Sequence, residues 1–191
     1  PRRPVSIRRS AVRASSSHPS STRPSRNRRN GCTNGSGFEV VHIPVDGQAH
    51  LDLDALEQEL DGEAGERTTL VSAILANNEV GTVEPVEELV RIAHAHGVPI
   101  HVDAVQAAGQ NSHPPWRDWD VDALSVSGHK FGTPKGLGAL LVRGRTPIEP
   151  VLSGGGQERG LRSGTQNVAG AVALAIGSTS RTRAWRRSTG N

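Results

Sequence analysis

From Gly37 onward, apolar and polar positions recur with two different periods, and their alternation lays out a series of elements. "FEVVHIPV" predicts a strand, and "LDLDALEQELD" predicts a helix with Asp52 as N-cap and Leu53, Leu56 and Leu60 on one face. "TLVSAILA" is a continuous apolar run of the kind found in strands buried on both faces. "NNEVGTVEP" then reads as a loop. Pro85 opens the helix "PVEELVRIAHAH" and Gly97 ends it. "VPIHVDA", "VDALSVS" and "GLGALLV" are three further strands. Strands alternating with helices predict an α/β fold, a three-layer sandwich around a mostly parallel sheet.

The two ends do not follow this pattern. Residues 1–36 are rich in Arg, Ser and Pro without apolar periodicity, which predicts a disordered segment. Residues 179–191 break off an apolar helical pattern and read as a second disordered, basic tail, leaving residues 37–178 as the folded domain. Charge follows the same division. Thirteen of the 22 basic residues lie in 1–35 and 181–191, where there is no acidic residue, so the middle holds nine basic against 19 acidic side chains. The basic ends are open to two readings: solvated tails, or a transit peptide or arm for nucleic acid or another anionic surface. No aromatic side chains interleave with the N-terminal arginines, which favours the solvated tail over a nucleic-acid-binding protein. Cys32 alone excludes an internal disulfide framework. No apolar run approaches the roughly 18 residues of a membrane span, and the Arg-rich start lacks the core of a secretory signal. A cytoplasmic location is expected.

In parallel α/β sheets, ligands sit beyond the carboxyl ends of the strands. Three consecutive strands place polar groups there: Asn77, Asn78 and Glu79; Asp103 and Gln106; Ser127, His129 and Lys130. Lys130, one of two lysines with Lys135, is either a solvated loop residue or a desolvated amine able to form a Schiff base with an aldehyde cofactor. Asp103 either caps the turn that follows or holds the protonated ring nitrogen of pyridoxal phosphate. Ser127, Gly128 and His129 either satisfy backbone or cradle a phosphate. Asn78 and Gln106 can donate to the ring's phenolic oxygen. "SGGGQERGLRSGT", Ser153 to Thr165, is a mobile loop or an anion contact through Arg159, Arg162 and Thr165.

The segments "ANNEVGTVEPVEELVRIAHAHGVPIHVDAVQAAG", "DALSVSGHKFGTPKGLGALLVR" and "GGGQERGLRSGTQNVAG" resemble the cysteine desulfurases, pyridoxal-phosphate enzymes of the class V aminotransferase group, from about Gly37 to about Ile176. The resemblance implies a fragment of the large domain of a fold-type I pyridoxal-phosphate enzyme. It puts the Schiff-base role on Lys130, the ring nitrogen on Asp103, and the phenolic oxygen on Gln106. Asn78 would contact cofactor and substrate carboxylate, and Ser127 and His129 the phosphate. Thr165 would reach the phosphate of the other subunit in a homodimer. No metal is implied. The implied activity converts L-cysteine to L-alanine and passes sulfur to an enzyme cysteine as a persulfide, for iron-sulfur scaffold proteins or other sulfur acceptors. A selenocysteine lyase or an aminotransferase of the same group is the neighbouring reading. The family's nucleophilic cysteine follows the SGHK motif at a distance beyond the last residue here, so a truncated enzyme without it is expected; Cys32 precedes the motifs and does not replace it. The ring-stacking histidine is not assigned, because the surroundings of His18, "SSSHPSSTRPS", do not read as a strand end.

Overall fold

A computed structural model describes residues 10–14, 39–61, 65–109, 118–144 and 146–189. They fall into two compact units, the first built from residues up to Ala104 with 118–121, the second from 105–109 and Asp122 onward.

The first unit holds four strands, β1 (Ser10–Ala14), β2 (Glu39–Ile43), β3 (Thr68–Ile74) and β4 (Ile100–Asp103), in the order β2-β1-β3-β4. Every pairing among them is parallel. Its helices are α1 (Leu53–Asp61) and α2 (Val86–Ala95). Asp52 caps α1 as expected: its Oδ1 accepts the Ala55 N–H at 3.0 Å, and Leu56 and Leu60 are buried. In α2, Val86, Leu89, Val90, Ile92 and Ala93 are buried, and Pro85 stands at its N-cap. Gly97 ends this helix region with a φ of 67°, which a side chain would resist.

Two features of this unit differ from the sequence expectation. β1 lies within the segment 1–36 read as disordered. "SAVRA" has too little apolar pattern to announce a strand, and its ladder hydrogen bonds come from neighbours on both sides, supplied by distant segments. β3 is buried on one face only: Val71 and Ala73 are covered, in register with Ile100 and Val102 of β4, whereas Ser72 and Ile74 are half-buried. The opposite face of β4 carries His101 and Asp103, so polar groups occupy the side expected to be apolar.

The second unit contains β5 (Ala123–Ser127) and β6 (Gly138–Val142), an antiparallel pair joined through a 3-10 turn at Gly128–Phe131. β6 is exposed at its first four positions, with Leu140 at 53% and Leu141 at 46%, and β5 is its one strand partner among the described residues. The helix α3 runs Val168–Thr189, through most of the segment 179–191 expected to be irregular. Alanine and arginine there have high helix propensity, and the absence of an apolar stripe does not stop a helix from continuing.

Candidate active site

The seven candidate residues divide between the units: Asn78 and Asp103 belong to the first, Gln106, Ser127, His129, Lys130 and Thr165 to the second. In the first unit, the loop after β3 is a tight turn held by Asn77. Its Oδ1 accepts from the Glu79 and Val80 N–H groups at 2.7 and 3.1 Å, and backbone bonds join Asn77 to Thr82 and Gly81. Asn77 is therefore a turn-forming residue, and it leaves Asn78 exposed at the turn's tip. Asp103 ends β4, half-buried, beside Ile74 of β3; its carbonyl accepts from Leu75 N–H at 2.9 Å.

This turn is anchored from beneath. Thr82 Oγ1 donates to Gln48 O at 2.9 Å, and the Leu51 N–H donates to Glu84 Oε2 at 3.0 Å, tying the loop after β2 to the loop after β3. Glu84 is only 3% exposed, and its Oε1 has no hydrogen-bond partner among the described residues. Burial raises its carboxyl above the usual carboxylate range, against the smaller lowering effect of the Leu51 bond.

In the second unit, the lysine turn is built by close packing. Ser127 of β5 faces Gly138 of β6, Gly128 N–H donates to Leu137 O at 2.9 Å, and Thr133 N–H returns to Gly128 O at 3.1 Å. Gly132 closes the turn at φ 93°. A Cβ on Gly128 would overlap Thr133 and crowd Leu174 of α3, while Cβ atoms on Gly170 and Gly177 would overlap Leu137 and Thr133. The helix thus lies against the turn along a row of small residues. Lys130 is half-buried in it, and Ser127 Oγ lies 2.8 Å from His129 Nδ1. A hydroxyl, an imidazole and an amine are gathered at one strand end, the donor set a phosphate-bearing aldehyde requires. An apolar groove of about 530 Å³ runs between the turn and α3 past Phe131, Thr133 and Ile176. None of the candidate residues lines it.

The loop Ser153–Thr165 is wired internally. Buried Ser163 accepts from Gly156 N–H at 3.2 Å, Gln157 Oε1 accepts from Gly164 N–H at 3.0 Å, and Arg162 donates to Ser163 O at 3.0 Å. Glu158 and Arg159 both hold left-handed φ values, 50° and 60°, a strained conformation for residues with side chains. Thr165 is exposed beside it, and Gln106 is half-buried in the turn that follows β4.

Sequence reasoning passed over Ser72, His101 and Glu84. Each is polar within or beside an apolar strand, a signal that shows only once the faces of the strand are separated. His18 and Cys32 lie outside the described residues.

A family model described as "Aminotransferase class-V" matches residues 9–178. The match begins at β1 and takes in His18, ahead of the Gly37 boundary expected from motifs. The chain is 44% identical over 140 residues to a cysteine desulfurase IscS of Dictyoglomus turgidum, covering 72% of this chain and 34% of that protein. Among solved structures, a NifS-like protein superimposes with a TM-score of 0.78 at 39% identity, over 92% of this chain and 46% of the other. One described as SspA in complex with cysteine gives 0.75 at 31% identity, over 90% and 47%. The chain spans about a third of the length of the curated relatives it matches and about half of those structures. The motifs, the parallel sheet and the match over most of its length agree: this chain belongs to the class V aminotransferase family.

Proposed function

We propose that this chain is the cofactor-holding part of a pyridoxal-phosphate-dependent cysteine desulfurase. The observation that carries the reading is the lysine turn, in which Lys130 is half-buried next to the Ser127–His129 pair and packed from behind by α3. Similarity to cysteine desulfurases and to a protein solved with cysteine supports the substrate.

Pyridoxal phosphate, when bound, supplies an electron sink for charge left on the substrate's α-carbon. Lys130 would hold the cofactor through Nζ, and the same amine, when free, would take the substrate's α-proton. Asp103 would hold the proton on the ring nitrogen, and the Gln106 amide would donate to the phenolic oxygen. Ser127 and His129 would hold the phosphate. Asn78, exposed at its turn, would orient the cysteine carboxylate. Thr165 of a second copy would complete the phosphate site. The substrate C–S bond breaks as the sulfur passes to a cysteine thiolate other than Cys32, giving a persulfide and L-alanine. From there a sulfur-acceptor or iron-sulfur scaffold protein collects it.

The test is visible absorption of the purified chain with pyridoxal phosphate. A band that borohydride abolishes, present in the wild type and absent in Lys130→Ala, supports the site; a wild type that never acquires it refutes the reading. Release of alanine from cysteine by the full-length protein, compared with release from selenocysteine, then separates the desulfurase from the lyase.

A further inference from the structure

Beside the proposed cofactor contact, β3 and β4 carry a polar pair to which the mechanism above gives no role. The parallel register sets Ser72 opposite His101 and Ile74 opposite Asp103. Ser72 Oγ lies 2.9 Å from His101 Nδ1. Asp103 follows His101 by one strand period, so both point to the same face, away from the buried Ile100 and Val102. Burial lowers the tendency of the imidazole to take a proton, while the Asp103 carboxylate has a smaller effect on it in the opposite direction. A neutral imidazole has one donor and one acceptor nitrogen, and the bond made by one assigns the proton to the other. If the Ser72 hydroxyl donates to Nδ1, the proton is on Nε2, and the oriented ring shares its strand face with the Asp103 carboxylate.

We infer that His101, locked in orientation and tautomer by Ser72, is a positioning residue for the Asp103 carboxylate and so governs how firmly that carboxylate grips a protonated heteroaromatic nitrogen. The inference rests on the role given to Asp103 above. It accounts for a polar pair inside the sheet, where apolar side chains would pack without needing partners. Its chemistry parallels metal sites, in which groups behind the ligand set the ligand's orientation.

The experiment uses the full chain with ¹⁵N-labelled histidine. The wild type should show His101 as the Nε2–H tautomer. Ser72→Ala should lose that preference and Ser72→Thr should restore it. Asp103→Asn should lower the His101 titration midpoint, since the neighbouring negative charge is gone. With pyridoxal phosphate added, His101→Gln and Ser72→Ala should weaken binding on the order of tenfold and shift the pH dependence of the visible band, with attachment at Lys130 preserved. An unchanged His101 midpoint in Asp103→Asn overturns the inference. So does a His101→Gln chain that binds cofactor with wild-type affinity and pH profile. A wild type that takes up no cofactor defeats the reading of Asp103 instead, and the histidine titration still decides whether the pair is coupled.

Discussion

At the scale of single residues, burial decides which charges this chain tolerates. Glu84 is a buried carboxyl tied to Leu51 across 33 positions of sequence, and burial raises its proton affinity. Between its ordinary and its raised value the folded state holds a proton that the unfolded chain has released, so Glu84's contribution to stability is greatest below the ordinary carboxylate range and declines as pH rises through the raised value. Glu84→Gln keeps an oxygen for Leu51 and removes the titration. Denaturant midpoints measured against pH should therefore flatten in this variant over that window. Glu84→Ala strands the Leu51 N–H and should cost about 1–3 kcal/mol. None of this is legible in "GTVEP", where Glu84 looks like an ordinary loop acid. The turn that half-buries Lys130 was legible, because lysines are scarce and this one follows an apolar run into a glycine turn.

At the scale of elements, local chemistry wrote the helices of the first unit clearly. Asp52 bonds the first turn of α1, and Pro85 precedes α2, as their positions in the sequence imply. β1 and the far end of α3 were not legible, one because its pattern is short, the other because helix propensity continued after the apolar stripe had stopped. The approach of α3 to the lysine turn depends on Gly170 and Gly177. Gly177→Val would overlap Thr133. Thermal unfolding should show a loss of about 1–3 kcal/mol, and Gly177→Ala a smaller one. If Gly177→Val unfolds like the wild type, the helix does not bear on the turn as described.

At the scale of the molecule, the first unit is a parallel sheet with helices, whereas the second carries an antiparallel strand pair whose β6 is largely exposed. Leu140 and Leu141 face water on a strand edge, the arrangement that invites pairing with another chain. Leu140→Lys should leave the unfolding free energy within about 0.5 kcal/mol while reducing self-association in light scattering at high protein concentration. Strand and helix periods, the Asp52 cap and the order of the motifs along the chain were settled by sequence, because each depends on neighbours only a few positions apart. Which strand face became polar, how Ser72 met His101, how Glu84 reached Leu51 and how α3 came to rest on the lysine turn were settled by folding. Those contacts join segments far apart in the chain, and the register of β3 on β4 and the depth of burial, which no local pattern encodes, determine which side chains meet.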